Sequence, residues 1–370
     1  MKTIRRLIYA EILRAVGFVA LAFLMLFFFF DFIDQLGQIN AAAARGYTIS
    51  RALLRVALEV PGHLYELLPI AVLIGAIYVM ARLAESSEYT ILRTSGLRPQ
   101  RALGTLLLLG LGFVALTFVV GDYVAPAANQ AGQALQARFL GDLTIGHTGA
   151  WIKDRQEAGG SASVNVGALS PDGVMSQIRI FEFAEPGARP LATIKAARGR
   201  FEADGLWTLE DVERRDYRQA GGNPSRIVIE RLPQWRWRTA ISADMVAAAL
   251  LTPDRMQTIG LFQYIRHLRA NGQSAQRYEI EFWRKVFYPL SCLVMMVLAL
   301  PFAYLHFRSG NITGYVFLGV LVGISFFLLN NVFGFIGDLR NWEPWLAAAS
   351  PGIIYSLLSL GAFGWLVLRQ

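Results

Sequence analysis

Two short constellations of side chains in this sequence are placed to do chemistry, and in both the chemistry is electrostatic. In the segment 84–101, Ser87 is a helix-capping residue. Glu88, Tyr89, Ile91, Leu92 and Arg93 then make a short helix with an apolar centre and a charge at each end, and Gly96 stands where a left-handed residue would end it. Such a stub could seat in a groove on a cytoplasmic ATPase, with Glu88 and Arg93 as ionic contacts. A solvated linker whose charges only set membrane topology is the plainer alternative. The second constellation is Asp31 and Asp34, three residues apart and so on one face of a helix. There they could pair with cations or basic groups, or serve as ordinary interfacial polar residues.

Covalent and metal chemistry find no footing. The four lysines follow Met1, Ile152, Ile194 and Arg284, so no Gly-Lys pair exists and no Walker A sequence is present. ATP and Mg, if used, belong to a partner. The histidines, His63, His147, His267 and His306, are scattered outside any HExxH pattern, and no metal site is expected. Gly121-Asp122 and Gly337-Asp338 lack the earlier glycine of an intramembrane aspartyl protease, and no GxSxG elbow occurs. Cys292, the single cysteine, can form neither an intrachain disulfide nor a thiolate cluster and reads as a small buried hydrophobe.

The elements that must carry these residues are apolar. Of 370 residues, 54% are hydrophobic and 17% charged, against about 25% charged in soluble domains. The runs 102–121, 286–307, 309–337 and 344–368 contain no Asp, Glu, Lys or Arg. Each is long enough to cross a hydrocarbon core of about 30 Å as a helix. Two shorter runs, 15–30 and 67–81, reach that length with polar residues at the interfaces, which makes six spans. A signal peptide is the competing reading of the first span. Asp31 and Asp34 separate its apolar part too far from the small residues at 42–44, so it stays as an anchor. Pro61 and Pro69 could bend span two and open a cavity.

Charge orients the spans. Lys2, Arg5, Arg6, Arg14, Arg82, Arg93, Arg98, Arg101, Arg308 and Arg369 fall on one side, and only Arg45, Arg51, Arg55 and Arg340 lie in the opposite short loops. This bias puts both termini in the cytoplasm, although Arg284 and Lys285 run against it.

Between spans three and four the composition changes. Residues 127–280 carry 19 Lys or Arg against 16 Asp or Glu, which leaves no basic field for nucleic acid. Strands are predicted at 163–169, 174–183, 191–201, 206–217 and 226–237, separated by Gly- and Pro-rich turns. Trp207 and Leu209 alternate with Thr208 and Glu210, the period of a sheet with one apolar face. Helical connectors at 127–140 and 258–271 flank the strands. The expected fold is an α-helical polytopic membrane protein, six helices in a 3+3 plan, with an inserted periplasmic all-β, jelly-roll-like domain. Its boundaries are 1–125 (with a cytoplasmic loop at 82–101), 126–279 and 280–370.

Several segments resemble the LptF/LptG family of lipopolysaccharide-export permeases, and the LptG branch more than the LptF branch. They are Asp31-Phe-Ile-Asp-Gln-Leu36, the loop 83–97, Asp122-Tyr-Val-Ala-Pro126, the stretch 278–289, Leu298-Ala-Leu-Pro-Phe302 and Leu329-Asn-Asn-Val-Phe-Gly334. The resemblance implies a non-catalytic permease half in the bacterial inner membrane that pairs with LptF, an LptB dimer holding ATP and Mg, and LptC. On the same resemblance, such a permease would extract lipopolysaccharide from the outer leaflet. The resemblance also implies a coupling helix comprising Glu85, Glu88, Tyr89, Leu92, Arg93 and Gly96. The lipid cavity falls to spans one, two and five, with Phe27, Phe30, Asp31, Asp34, Leu64, Leu68, Leu321, Phe327 and Asn331 along its wall and lateral gate. Family members can carry lysines at the outer end of span one, where this chain has Asp31, Gly37 and Gln38. Arg45, Arg51, Arg55 and Arg138 are therefore the candidate phosphate contacts. The rival reading is a membrane-anchored scaffold or sensor that transports nothing and uses the β domain as its binding module.

Overall fold

The computed structural model describes residues 2–42, 46–86, 88, 91, 94, 99–140, 149–155, 160–169, 173–184, 190–202, 205–220, 223–242, 245–246, 253–304 and 312–368. The chain forms two compact units, one of residues 1–38, 52–129 and 276–370, the other of 39–51 and 130–275.

The first unit is helical. Among the described residues six helices are long and apolar enough to cross a membrane: Arg5–Gly37, Ile49–Glu85, Pro99–Leu135, Gln276–Tyr304, Ile312–Leu339 and Pro344–Trp365. These are spans one to six, and the chain is a multi-pass membrane protein. Its helical core joins Ile8, Ile12 and Val16 of span one to Leu68, Val72 and Leu73 of span two, and these to Leu106, Phe113, Met295, Met296 and Phe326. Span six packs on spans four and five.

Two spans are interrupted where proline removes a backbone donor. Span four changes to single 3-10 turns at Tyr288–Leu290 and Leu300–Tyr304, which contain Pro289 and Pro301. Span three holds a π-turn at Val120–Val124, where the Ala125 N–H reaches back to the Val120 carbonyl. In that register the Gly121 carbonyl would take its hydrogen bond from residue 126. That residue is proline and has no N–H to give.

The second unit contains an antiparallel sheet in sequential order: β1 (Ala150–Arg155), β2 (Ser161–Leu169), β3 (Val174–Phe183), β4 (Pro190–Glu202), β5 (Leu206–Ala220) and β6 (Asn223–Arg238). The all-β insert is present. Each strand pairs with the next, as in a meander, with no Greek-key crossover among the described strands. A crease runs across the sheet. Regular pairing lapses at 167/177, 177/197, 197/211 and 211/233, one position on every strand from β2 to β6. Gln177 and Asp211 adopt positive φ on this line, and Pro233 is accommodated there because no ladder donor is needed. The apolar alternation slips with it, so Met175 and Ile178 on β3, and Leu209 and Val212 on β5, face one core.

Strand β1 was not among the expected strands. Its Lys153-Asp154-Arg155 triplet breaks the apolar alternation, yet Asp154 is buried and satisfied: its Oδ2 accepts the Thr239 hydroxyl at 2.6 Å and the Ala240 N–H at 3.2 Å. The helix Thr258–Ala270 buries Leu261, Tyr264, Ile265 and Leu268, the spacing expected of it. Its His267 is also buried, which holds the imidazole below its usual pKa against the opposing pull of the Asp154 charge.

Candidate functional site

Span two is the hub on which the candidate cavity residues are arranged. Its most apolar window is 83% buried, and the small residues of the contacts explain how its neighbours come so close. A Cβ added at Gly75 would lie 2.7 Å from the Val16 nitrogen of span one, so two backbones touch there. On span five, added Cβ atoms at Gly319 and Gly323 would lie 2.9 Å from Ile77 and 2.7 Å from Ile70 of span two. Small residues permit this packing where water supplies no hydrophobic drive.

Polar pairs pin the same helices. Glu11 of span one meets Arg82 of span two at 3.1 Å, and Asp31 Oδ2 meets His63 Nε2 at 2.8 Å. The Phe27 ring lies against His63 with centroids 4.8 Å apart. Span one is thus held to span two at three levels, with Val16 and Gly75 between the Glu11–Arg82 ion pair and the Asp31–His63 hydrogen bond. Asp31 has a partner within its own chain, and Asp34 is exposed.

The π-turn of span three and the start of span four form a second polar knot. Lys285 is buried and its Nζ donates to the Gly121 carbonyl at 3.2 Å, which answers the acceptor stranded by Pro126. The Tyr65 ring covers Gly121 so closely that a side chain there would overlap it. Tyr288 donates its hydroxyl proton to the Glu66 carbonyl at 2.6 Å. The Arg284 guanidinium bridges Glu281 at 3.2 Å and Asn331 Oδ1 at 3.1 Å, tying span four to span five. The segment 278–289 singled out in the sequence therefore meets span three at Gly121, beside the singled-out segment 122–126.

The expected cavity residues separate by exposure. Phe30, Leu321 and Phe327 are 55%, 48% and 36% exposed on the outward faces of spans one and five. Asn331 is exposed and engaged by Arg284. Phe27 and Leu64 are half-buried, whereas Leu68 is 2% exposed and sits inside the helical core. The candidate phosphate contacts are mostly occupied or outside the described residues. Arg55 is buried and pairs with Glu59 at 2.7 Å. Arg51 donates to the Gly46 carbonyl and lies over the Phe139 ring at 4.0 Å. Arg45 and the side chain of Arg138 lie outside the described residues. Of the coupling segment, Glu85 ends span two and Glu88 is helical, both exposed, while Tyr89, Leu92, Arg93 and Gly96 lie outside the described residues.

Sequence reasoning passed over His63, Lys285 and Arg284 as partners in this arrangement. A signal existed for the first: residues 31 and 63 are equidistant from Tyr47, the middle of an antiparallel helix pair. No comparable signal marks Lys285, because its acceptor arises only from the backbone distortion at 120–126.

Similarity to known proteins runs nearly end to end. The family described as "Lipopolysaccharide export system permease LptF/LptG" matches residues 6–369. The "Lipopolysaccharide export system permease protein LptG" of Escherichia coli (strain K12) is 30% identical over 348 residues, covering 92% of this chain and 90% of that protein. The protein of the same name from Haemophilus influenzae is 27% identical over 373 residues, covering 100% and 97%.

Proposed function

Because the chain belongs to the LptF/LptG family of lipopolysaccharide export system permeases, we propose that it is one membrane-spanning half of an ATP-driven exporter. In this reading it takes lipopolysaccharide from the outer leaflet of the inner membrane for delivery to the outer membrane. The observation that carries the reading is the family match over residues 6–369, which includes both helical triplets and the sheet between them.

The chain's own residues suit a passive wall and lever. Span two, pinned to span one by Glu11–Arg82 and Asp31–His63, is the stationary surface. Phe30, Leu321 and Phe327 on the outward faces of spans one and five contact acyl chains. Each buried methylene is worth about 0.8 kcal/mol, so a multi-chain lipid leaves such a wall only when work is done on it. That work comes from a separate LptB dimer, which binds ATP and Mg and acts through Glu85, Glu88 and the rest of the 82–101 loop. LptF supplies the facing half and LptC joins the assembly. Both termini are cytoplasmic, as the arginine bias requires, and the β unit is periplasmic. With Arg51 and Arg55 engaged inside the chain, lipid phosphates are met by Arg45, Arg138 or the partner chains.

Photo-crosslinking tests the wall. A crosslinker at Phe30, Leu321 or Phe327, in the chain assembled with its ATPase, should capture lipopolysaccharide and release it on ATP addition, whereas one at Leu68 should not. Absence of both an ATPase partner and any adduct would favour the scaffold. Glu88→Ala should uncouple hydrolysis from release while insertion stays normal. For orientation, Asn223→Cys in a Cys292→Ser background should react with an impermeant thiol reagent on intact spheroplasts.

A further inference from the structure

The start of span one carries a recess that the export reading leaves unused. Arg5, Arg6, Tyr9, Ala10 and Leu13 line a cavity of about 410 Å³, within the roughly 300–1,000 Å³ of ligand pockets. Its two ends differ in chemistry. At the head stand two guanidiniums. Tyr9 donates its hydroxyl proton to the Thr105 carbonyl of span three at 3.0 Å, and Arg5 Nη2 donates to the Tyr9 oxygen at 3.3 Å, so Arg5 is held on a fixed neighbour. Arg6 is exposed, and among the described residues no carboxylate pairs with either arginine. Glu11, the acid closest along the helix, is taken by Arg82 at 3.1 Å and Arg14 at 3.9 Å. At the other end are Ala10 and Leu13, the latter 51% exposed. Seven or eight residues of helix separate the arginines from Leu13, a rise of roughly 10–12 Å.

A cationic head, a phenolic neck and an apolar floor about 10 Å below are the complement of one amphiphile lying along the helix. Span one begins at Arg5, so the head falls at the membrane boundary and the floor within the hydrocarbon. We propose that Arg5, Arg6, Tyr9, Ala10 and Leu13 bind an anionic phospholipid of the leaflet that holds the N-terminal end of span one. The guanidiniums take the phosphate oxygens in pairs, and the upper acyl chain lies on Ala10 and Leu13. The apolar floor distinguishes this ligand from a free phosphate ion. The site is independent of which lipid the chain exports.

Native mass spectrometry of the purified full chain, given phosphatidylglycerol or phosphatidylcholine of identical acyl chains, tests it. The wild-type chain should retain phosphatidylglycerol in preference. Arg5→Ala and Arg6→Ala should each cut that preference about fivefold, the ratio that ~1 kcal/mol per basic group gives. The double variant Arg5→Lys/Arg6→Lys keeps the charge and the insertion topology while losing paired donors, and should keep part of the preference. Leu13→Asn should lower phosphatidylglycerol retention with both arginines in place. Equal retention of the two lipids by the wild type overturns the proposal. So does a preference unchanged in both Arg5→Ala and Arg6→Ala or in Leu13→Asn, and so does full displacement by inorganic phosphate alone, which would make the ligand the ion. If the alanine variants fail to accumulate, the lysine pair and Leu13→Asn decide the matter by the same criteria.

Discussion

Spans one, two and five are built from nearly the same material and end in different environments. Their most apolar windows have mean hydropathies of 2.5, 2.1 and 2.3, yet 11%, 83% and 17% of those windows are buried. The least hydropathic of the three is the most enclosed. In a membrane this is reasonable, because lipid tails satisfy an apolar side chain as well as another helix does. What sorts the helices is close approach at Gly75, Gly319 and Gly323 and the few polar pairs that need a protein partner.

The largest effect expected from that contrast is at Leu68 and Leu321. Leu68→Ala removes a side chain from the core and should cost about 2–5 kcal/mol of stability. Leu321→Ala, on an outward face, should change thermal unfolding of the detergent-solubilised chain very little. Equal losses at the two positions would erase the distinction between hub and wall.

Next in size is Lys285→Met, which strands the Gly121 carbonyl in a buried place and should cost about 1–3 kcal/mol or more. Pro126→Ala in the same background returns a backbone N–H to the π-turn and should recover part of the loss. Additive effects of the two changes would separate the turn from the lysine. A comparable cost, about 1–3 kcal/mol, is expected for Gly75→Ala, because its new methyl meets the Val16 backbone as well as the Val16 side chain. Gly17→Ala, one residue from that contact, meets nothing within 4 Å and should be neutral or slightly stabilising. Proteolysis or thermal unfolding of the two alanine variants side by side sharpens the comparison.

The smallest effect concerns Asp31 and His63. Their side chains are each about one-quarter exposed, so a double-mutant cycle of Asp31→Asn and His63→Gln should give a coupling of about 0.5–1 kcal/mol. A coupling of zero would leave the hold between the spans to Glu11–Arg82, the Val16–Gly75 contact and apolar packing. Transport assays on the same variants would show whether span one must stay fixed to span two while lipid passes.

Legibility in the sequence followed the range of the interaction. Six charge-free or nearly charge-free runs appear as six spans, since length and apolarity suffice to predict a helix in lipid. Five of the six strands follow from alternation, and β1 escapes it because its buried Asp154 is satisfied by Thr239 and Ala240, distant in sequence. Within the candidate site, the apolar wall positions could be named from the spans they occupy, but their exposure could not. Leu68 and Leu321 look alike in a hydropathy profile. Arg51 and Arg55 look like free cations until Phe139 and Glu59 are seen beside them.

By itself the sequence determined the number of spans, the position of the β insert, that the chain carries no Walker A or HExxH motif, and the family to which the chain belongs. All of these rest on composition, on local period and on residue order, which need no knowledge of what lies across the fold. Only the tertiary structure decided which span is the hub, that Asp31 answers to His63, that Lys285 closes the acceptor left by Pro126, and that a crease crosses the sheet at Gln177 and Asp211. These depend on pairs of residues brought together from distant segments. The free energy of such a pair is set by distance and enclosure, which residue type alone does not carry.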